Sequence, residues 1–74
     1  MARSLDLLKT GESSRVLEIN RNAPLYNRFI DLGILKGTLI KKIGTSPLGD
    51  PSAYSIRGSV IAIRDFDSRD ILVK

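Results

Sequence analysis

Apolar positions in this chain come in short bursts separated by turn-forming residues, a spacing of strands more than of long helices. Leu5, Leu7 and Leu8 precede the Gly11 turn and read as a lead-in covering one end of a barrel. From Ser13 to Asn20, Val16, Leu17 and Ile19 sit among Arg15 and Glu18, with Leu17 and Ile19 at period two, which predicts a strand. The pattern then changes period. Leu25, Phe29 and Leu32 fall at i, i+4 and i+7 on one helical face, Asn27, Arg28 and Asp31 on the other, and Tyr26 and Ile30 on the shoulder. Asn22 reads as the N-cap, Pro24 as a first-turn residue and Gly33 as the C′ residue, giving a helix of about two and a half turns.

The remainder returns to strand spacing. Ile34 to Thr38 is a glycine-bounded turn, and Leu39 to Thr45 carries the β formers Leu39, Ile40 and Ile43 around Lys41 and Lys42. Ser46 to Pro51 holds two prolines and a glycine and must be a loop. Tyr54 and Ile56 alternate with Ser55 and Arg57, Gly58 turns the chain, and Ser59 to Arg64 is a further strand. Asp65 to Asp70 is polar enough for a turn or one helical turn, and Ile71 to Val73 closes as a last short strand. Five strands with one early helix predict a mostly β domain of small-barrel type, formed by residues 1–74 as one unit.

Composition narrows the chemistry. At 74 residues the chain buries roughly 60% of its unfolded surface, so each core position matters. Histidine and cysteine are absent, which removes thiol nucleophiles, Ser-His relays, zinc fingers and disulfides. Twelve Lys and Arg against eight Asp and Glu give +4, spread along the chain with Lys41-Lys42 as the one adjacent pair. That spacing describes a mildly basic surface more than a nucleic-acid footprint. Asp6 and Lys9 interrupt the first apolar stretch, so no signal peptide is expected. The longest apolar run, Val60 to Ile63, is far below the ~20 residues of a membrane span. A cytoplasmic location is the expectation.

No motif supplies an active site. Gly44 to Gly49 has P-loop glycine spacing, but Asp50-Pro51 follows where Lys-Ser/Thr should stand, and an acid there repels phosphate. Asp65, Asp67 and Asp70 lack the glycine and terminal glutamate of a calcium loop, and such clusters usually cap a turn or face water. The scattered carboxylates form no acid-base constellation, so no enzyme, cofactor or metal site is expected. A small-barrel nucleic-acid binder is the alternative, with Tyr54 as the one strand aromatic near Arg57, Lys41 and Lys42. What remains is recognition of another protein. Tyr26 and Ile30 on the helix shoulder, Ile34 and Leu35 in a turn, and Leu48 on a proline-rich loop are apolar where solvent usually reaches. With Arg28, Pro47 and Asp50 they form the candidate partner-binding set.

The order of these features resembles a known family. Leu8 to Glu12, the helix ending Asp31-Leu32-Gly33 with Gly37-Thr38 after it, the loop Pro47-Leu48-Gly49-Asp50-Pro51, the Arg57-Gly58 turn and the last strands Ile61 to Arg64 and Ile71 to Val73 are together similar to the bacterial ferrous iron transport protein A family, FeoA. The resemblance spans essentially the whole chain. It implies an SH3-like β-barrel with an inserted helix, acting without catalysis as an accessory to the FeoB membrane GTPase that moves Fe²⁺ inward. The resemblance implies recruitment to the inner face of the membrane by that partner and no insertion of its own. An exposed barrel edge can also pair with its own copy, which leaves a homo-oligomer open.

Overall fold

The computed structural model describes residues 2–74. Its strands are β1 (Arg3–Ser4), β2 (Ser13–Ile19), β3 (Leu39–Thr45), β4 (Ser52–Ile56), β5 (Ser59–Ile63) and β6 (Ile71–Val73). A 3₁₀ turn (Leu5–Leu7) follows β1, α1 (Tyr26–Asp31) lies between β2 and β3, and α2 (Asp65–Ser68) lies between β5 and β6. All pairings are antiparallel, in the order β1-β6-β2-β3-β4-β5. Because β1 and β5 stand at opposite ends of that order, the barrel is not closed by hydrogen bonds. The 3₁₀ turn packs against α2 and β6, and it carries Leu5 into the core.

The expectation of five strands and one helix therefore becomes six strands and two short helices. The added strand is the pairing of Arg3 and Ser4 with Val73 and Leu72, for which two polar residues give no hydrophobic signal. In β2 the buried residues are Val16 and Ile19, three apart, and Leu17 is only half-buried. A register shift between Val16 and Glu18 explains the departure from period two, since a bulge moves one residue out of the alternation.

The core is assembled from every element except β1 and α2. Leu5, Leu8, Val16, Ile19, Phe29, Ile34, Ile40, Tyr54, Ile56, Ile63, Ile71 and Val73 form one buried cluster, with Leu25, Tyr26, Ile30 and Ile61 packed against its margin. Ser52, Ser68 and Thr38 are the buried polar residues. The Ser52 hydroxyl pairs with that of Thr45 at 3.2 Å, and the Ser68 hydroxyl donates to the Asp65 carbonyl at 2.9 Å. Burial of these groups is thus compensated locally.

The helix is shorter than its pattern suggests. The Asn20 side chain accepts the Asn22 backbone N–H at 3.0 Å, and Ala23 and Tyr26 donate to the Asn20 and Ala23 carbonyls. Asn20 therefore organises consecutive turns, and helical bonding begins only with the Phe29 N–H to the Leu25 carbonyl. At the other end, Gly33 donates to the Ile30 carbonyl and Ile34 to the Phe29 carbonyl, with Gly33 at φ +89°. This is a Schellman termination, in which the residue after the glycine folds back toward the helix. Leu32, assigned by spacing to the inner face, lies beyond the helix and is exposed.

Candidate functional site

Termination of α1 builds the candidate site. The Schellman turn drives Ile34 into the core, where it is fully buried, and leaves the next residue, Leu35, 42% exposed. The chain then re-enters β3 through a second turn closed by the Thr38 N–H to the Leu35 carbonyl, with the Thr38 hydroxyl accepting from the Leu35 N–H at 3.2 Å. The result is a cleft of about 380 Å³ between α1, the end of β2 and the turn after α1. Tyr26, Ile30 and Leu35 line it beside Leu17 and Ile19, Ile34 underlies it, and Glu18, Arg21 and Lys36 stand at its rim.

Four of the eight residues expected at a partner surface are thus brought together there. Ile34 needs correction, because its side chain is wholly core and not a surface group as its turn position suggested. The sequence does hold a signal for this, since an apolar residue directly after a C′ glycine packs against the helix's last turn. Arg28 is exposed on the helix.

Pro47, Leu48 and Asp50 occupy the β3–β4 connection and do not line the cleft. That connection is well tied. The Ser46 N–H donates to the Pro51 carbonyl, the Ser46 hydroxyl to the Asp50 carbonyl at 2.7 Å, and the Gly49 N–H to the Ser46 carbonyl. Asp50 accepts the Asp65 backbone N–H at 2.9 Å, satisfying a free donor in the first turn of α2. Asp50 therefore anchors the loop to α2. Leu48 is held out at 95% exposure.

A second groove, of about 610 Å³, escaped the sequence reading. Arg15, Lys36, Lys41 and Arg57 line it, and Lys36 borders both grooves. Arg15, the Lys36–Lys41 stretch and Arg57 come from three separate parts of the chain, and the pairing of β2, β3 and β4 brings those parts together. Among the described residues no group of three or more His, Cys, Asp or Glu is placed to hold a metal ion. No described helix is long and apolar enough to cross a membrane.

The open six-stranded sheet, the helix inserted after β2 and the exposed apolar cleft define a small, mostly β protein of SH3-like fold. Comparison with known proteins makes the assignment specific. The FeoA domain family matches residues 3–74, and the chain belongs to that family, which is associated with ferrous iron transport. The solution structure of a FeoA-like protein from Clostridium acetobutylicum is 30% identical, with 99% of this chain and 85% of that one covered at a TM-score of 0.91. FeoA from Chlorobium tepidum is 28% identical, covering 95% of this chain and 67% of that one at a TM-score of 0.85. FeoA from Stenotrophomonas maltophilia, solved complexed with zinc and described as a procaryotic SH3 domain protein, is 21% identical over 96% of this chain and 88% of that one at a TM-score of 0.85, which shows a shared fold. A comparison with curated proteins found no match.

Proposed function

We propose that this protein is a non-enzymatic accessory of ferrous iron uptake that docks onto a FeoB-type membrane GTPase transporter and modulates it. The docking surface is the α1 cleft, with Tyr26, Ile30 and Leu35 as apolar anchors, Arg28 and Lys36 setting orientation, and Leu48 with Pro47 as a second contact. Support comes from membership of the FeoA family and from the description of the Stenotrophomonas protein as one possibly acting as a ferrous iron transport activating factor. The observation that carries the surface is the convergence of Tyr26, Ile30 and Leu35 on one cleft. Partly exposed aromatic and aliphatic side chains in a concavity are the groups that anchor protein interfaces, while charges at the rim steer approach.

The test is co-purification with the full-length transporter in nanodiscs. Wild-type protein is expected to be retained and Leu48→Asp to be retained less, with its fold unchanged because Leu48 contributes almost no buried surface. Unfolding of Leu48→Asp would place that residue in the core and remove the loop from the surface. A nucleic-acid reading lacks support, since no aromatic side chain lines the basic groove and sequence-tolerant single-strand binding depends on stacking platforms.

A further inference from the structure

The basic groove has its own chemistry and shares one lining residue, Lys36, with the α1 cleft. Arg15, Lys36, Lys41 and Arg57 line it together with the hydroxyls of Ser13, Thr38 and Ser55, and no carboxylate does. Pairing sets Lys41 directly between Ser13 of β2 and Ser55 of β4, and sets Arg15 opposite Leu39. Strands lie about 4.8 Å apart and alternate residues on a strand about 7 Å apart, so Arg15, Leu39 and Lys41 share a patch the size of a few extended residues, and Lys36 and Arg57 line the same groove from the adjoining turns. Leu39 is 50% exposed in the midst of this charge.

Two of the cations are fixed in advance. The Arg15 Nη1 donates to the Gly37 carbonyl at 3.0 Å, and the Arg57 Nε donates to the Gly33 carbonyl at 3.2 Å. Each guanidinium keeps further N–H groups for an incoming oxygen pair, and holding it in place lowers the ordering cost of binding. None of the four is matched by an acid, because the one ion pair among the described residues joins Arg3 to Glu12.

We infer that this groove is a docking site for a carboxylate-rich, apolar-containing protein segment, with Asp or Glu side chains meeting the Arg and Lys groups and an aliphatic side chain resting on Leu39. Charge complementarity selects an acidic partner, and the exposed leucine amid the cations, with no aromatic in the lining, favours peptide over nucleic acid. The inference goes beyond the transporter reading and does not depend on what occupies the α1 cleft.

The test is an NMR titration of the isotope-labelled full chain with a short synthetic peptide alternating Glu and Leu, its Gln-for-Glu counterpart, an oligothymidylate and inorganic phosphate. Saturable shifts at the Ser13, Lys41 and Ser55 amides are expected with the Glu peptide, weakening as salt rises. The Gln peptide is expected to bind at least about tenfold more weakly. Lys41→Glu, whose side chain makes no hydrogen bond or ion pair among the described residues and does not line the α1 cleft, is expected to reduce Glu-peptide affinity several-fold while leaving the remaining spectrum unchanged. Equal affinity for the two peptides, shifts confined to the α1 cleft, tighter binding of oligothymidylate, binding of phosphate with equal effect, or no saturable shift would each overturn the inference. Transporter retention by Leu48→Asp is read separately, so the two proposals fail independently.

Discussion

Ile34 and Leu35 are neighbours in sequence with opposite roles, and substituting each separates core from surface. Ile34 is fully buried against Phe29 and the strands, whereas Leu35 is 42% exposed at the mouth of the cleft. Truncating a buried isoleucine to alanine costs about 2–5 kcal/mol through lost transfer energy and the cavity left behind. A domain of 74 residues has a total stability of about 4–11 kcal/mol at ~0.05–0.15 kcal/mol per residue. Ile34→Ala therefore removes a large fraction of it. Taking about 3 kcal/mol and roughly 4–8 °C per kcal/mol for a domain of this size, its Tm falls by about 12–24 °C. Ile34→Val, costing about 1 kcal/mol, lowers it by about 4–8 °C and keeps the fold if the alanine variant proves too weak. Leu35→Lys preserves the aliphatic stem against the cleft while adding a charge at its mouth, and it changes stability by no more than about 0.5 kcal/mol. Differential scanning calorimetry with transporter retention as the paired readout checks both. The expected result is a destabilised but binding-competent Ile34→Val, measured below its Tm, and a stable, binding-impaired Leu35→Lys. An Ile34→Ala variant melting within about 2 °C of wild type would refute the Schellman placement of Ile34.

Other residues give equally direct tests. Gly33 has φ +89°, and a Cβ there would meet the Arg57 Cδ at 3.2 Å, whereas Gly11 has the same φ with nothing within 4 Å. Both alanine variants are expected to lose about 1–2 kcal/mol from backbone conformation, and chemical denaturation should show the larger loss at Gly33 because Arg57 must move. The Tyr54 hydroxyl is buried with no hydrogen-bond partner among the described residues, and burial first of all pushes its ionisation above the usual phenol range, opposed in part by the nearby Ser68 and Ser52 hydroxyls. Those two serines are engaged elsewhere, with the Asp65 carbonyl and Thr45. Tyr54→Phe is therefore expected to equal wild type or exceed it by up to about 1 kcal/mol in denaturant unfolding, and a loss beyond about 1 kcal/mol would reveal a bond to that hydroxyl. Glu12 accepts the Lys9 backbone N–H at 2.9 Å and pairs with Arg3 at 2.6 Å, and these two contacts, the backbone bond first, hold its carboxyl below the ordinary glutamate range. Its contribution to stability is complete above the ordinary glutamate value and lost as pH falls through the lowered value. The gap in Tm between wild type and Glu12→Gln should therefore be widest near neutrality and close in acid.

What the sequence reveals differs from element to element, for physical reasons. β3 is legible to the residue at both ends because Leu39, Ile40, Ile43 and Thr45 place β formers along a segment bounded by two turn signals. Gly33 is likewise legible as a helix stop, since φ +89° at that site requires what glycine permits. The start of α1 is not, because Asn20 and Asn22 are equally good turn and cap residues, and the choice of Asn20 depends on how β2 ends. Leu17 in β2 illustrates a bulge overriding alternation, which depends on a partner strand more than fifty residues away. The α1 cleft was half legible. Tyr26 and Ile30 follow from helical spacing and Leu35 from its turn, but Leu17 and Ile19 enter the cleft only through packing. The basic groove was invisible for the same reason, since Arg15, Lys36, Lys41 and Arg57 read as dispersed charge until antiparallel pairing sets β2, β3 and β4 side by side. Asp50 shows the converse, an acid that seemed free on a loop and proves to hold the N-terminal turn of α2.

The proposed docking of the α1 cleft onto a FeoB-type transporter is measured by isothermal titration calorimetry of the full chain against the full-length transporter in nanodiscs, with Tyr26→Ala and Leu35→Lys as comparisons. Wild type is expected to bind saturably and stoichiometrically and each variant to lose at least about tenfold in affinity, as when an anchor of an interface is removed. Absence of saturable binding by wild type, or unchanged affinity of both variants, would contradict the proposed docking.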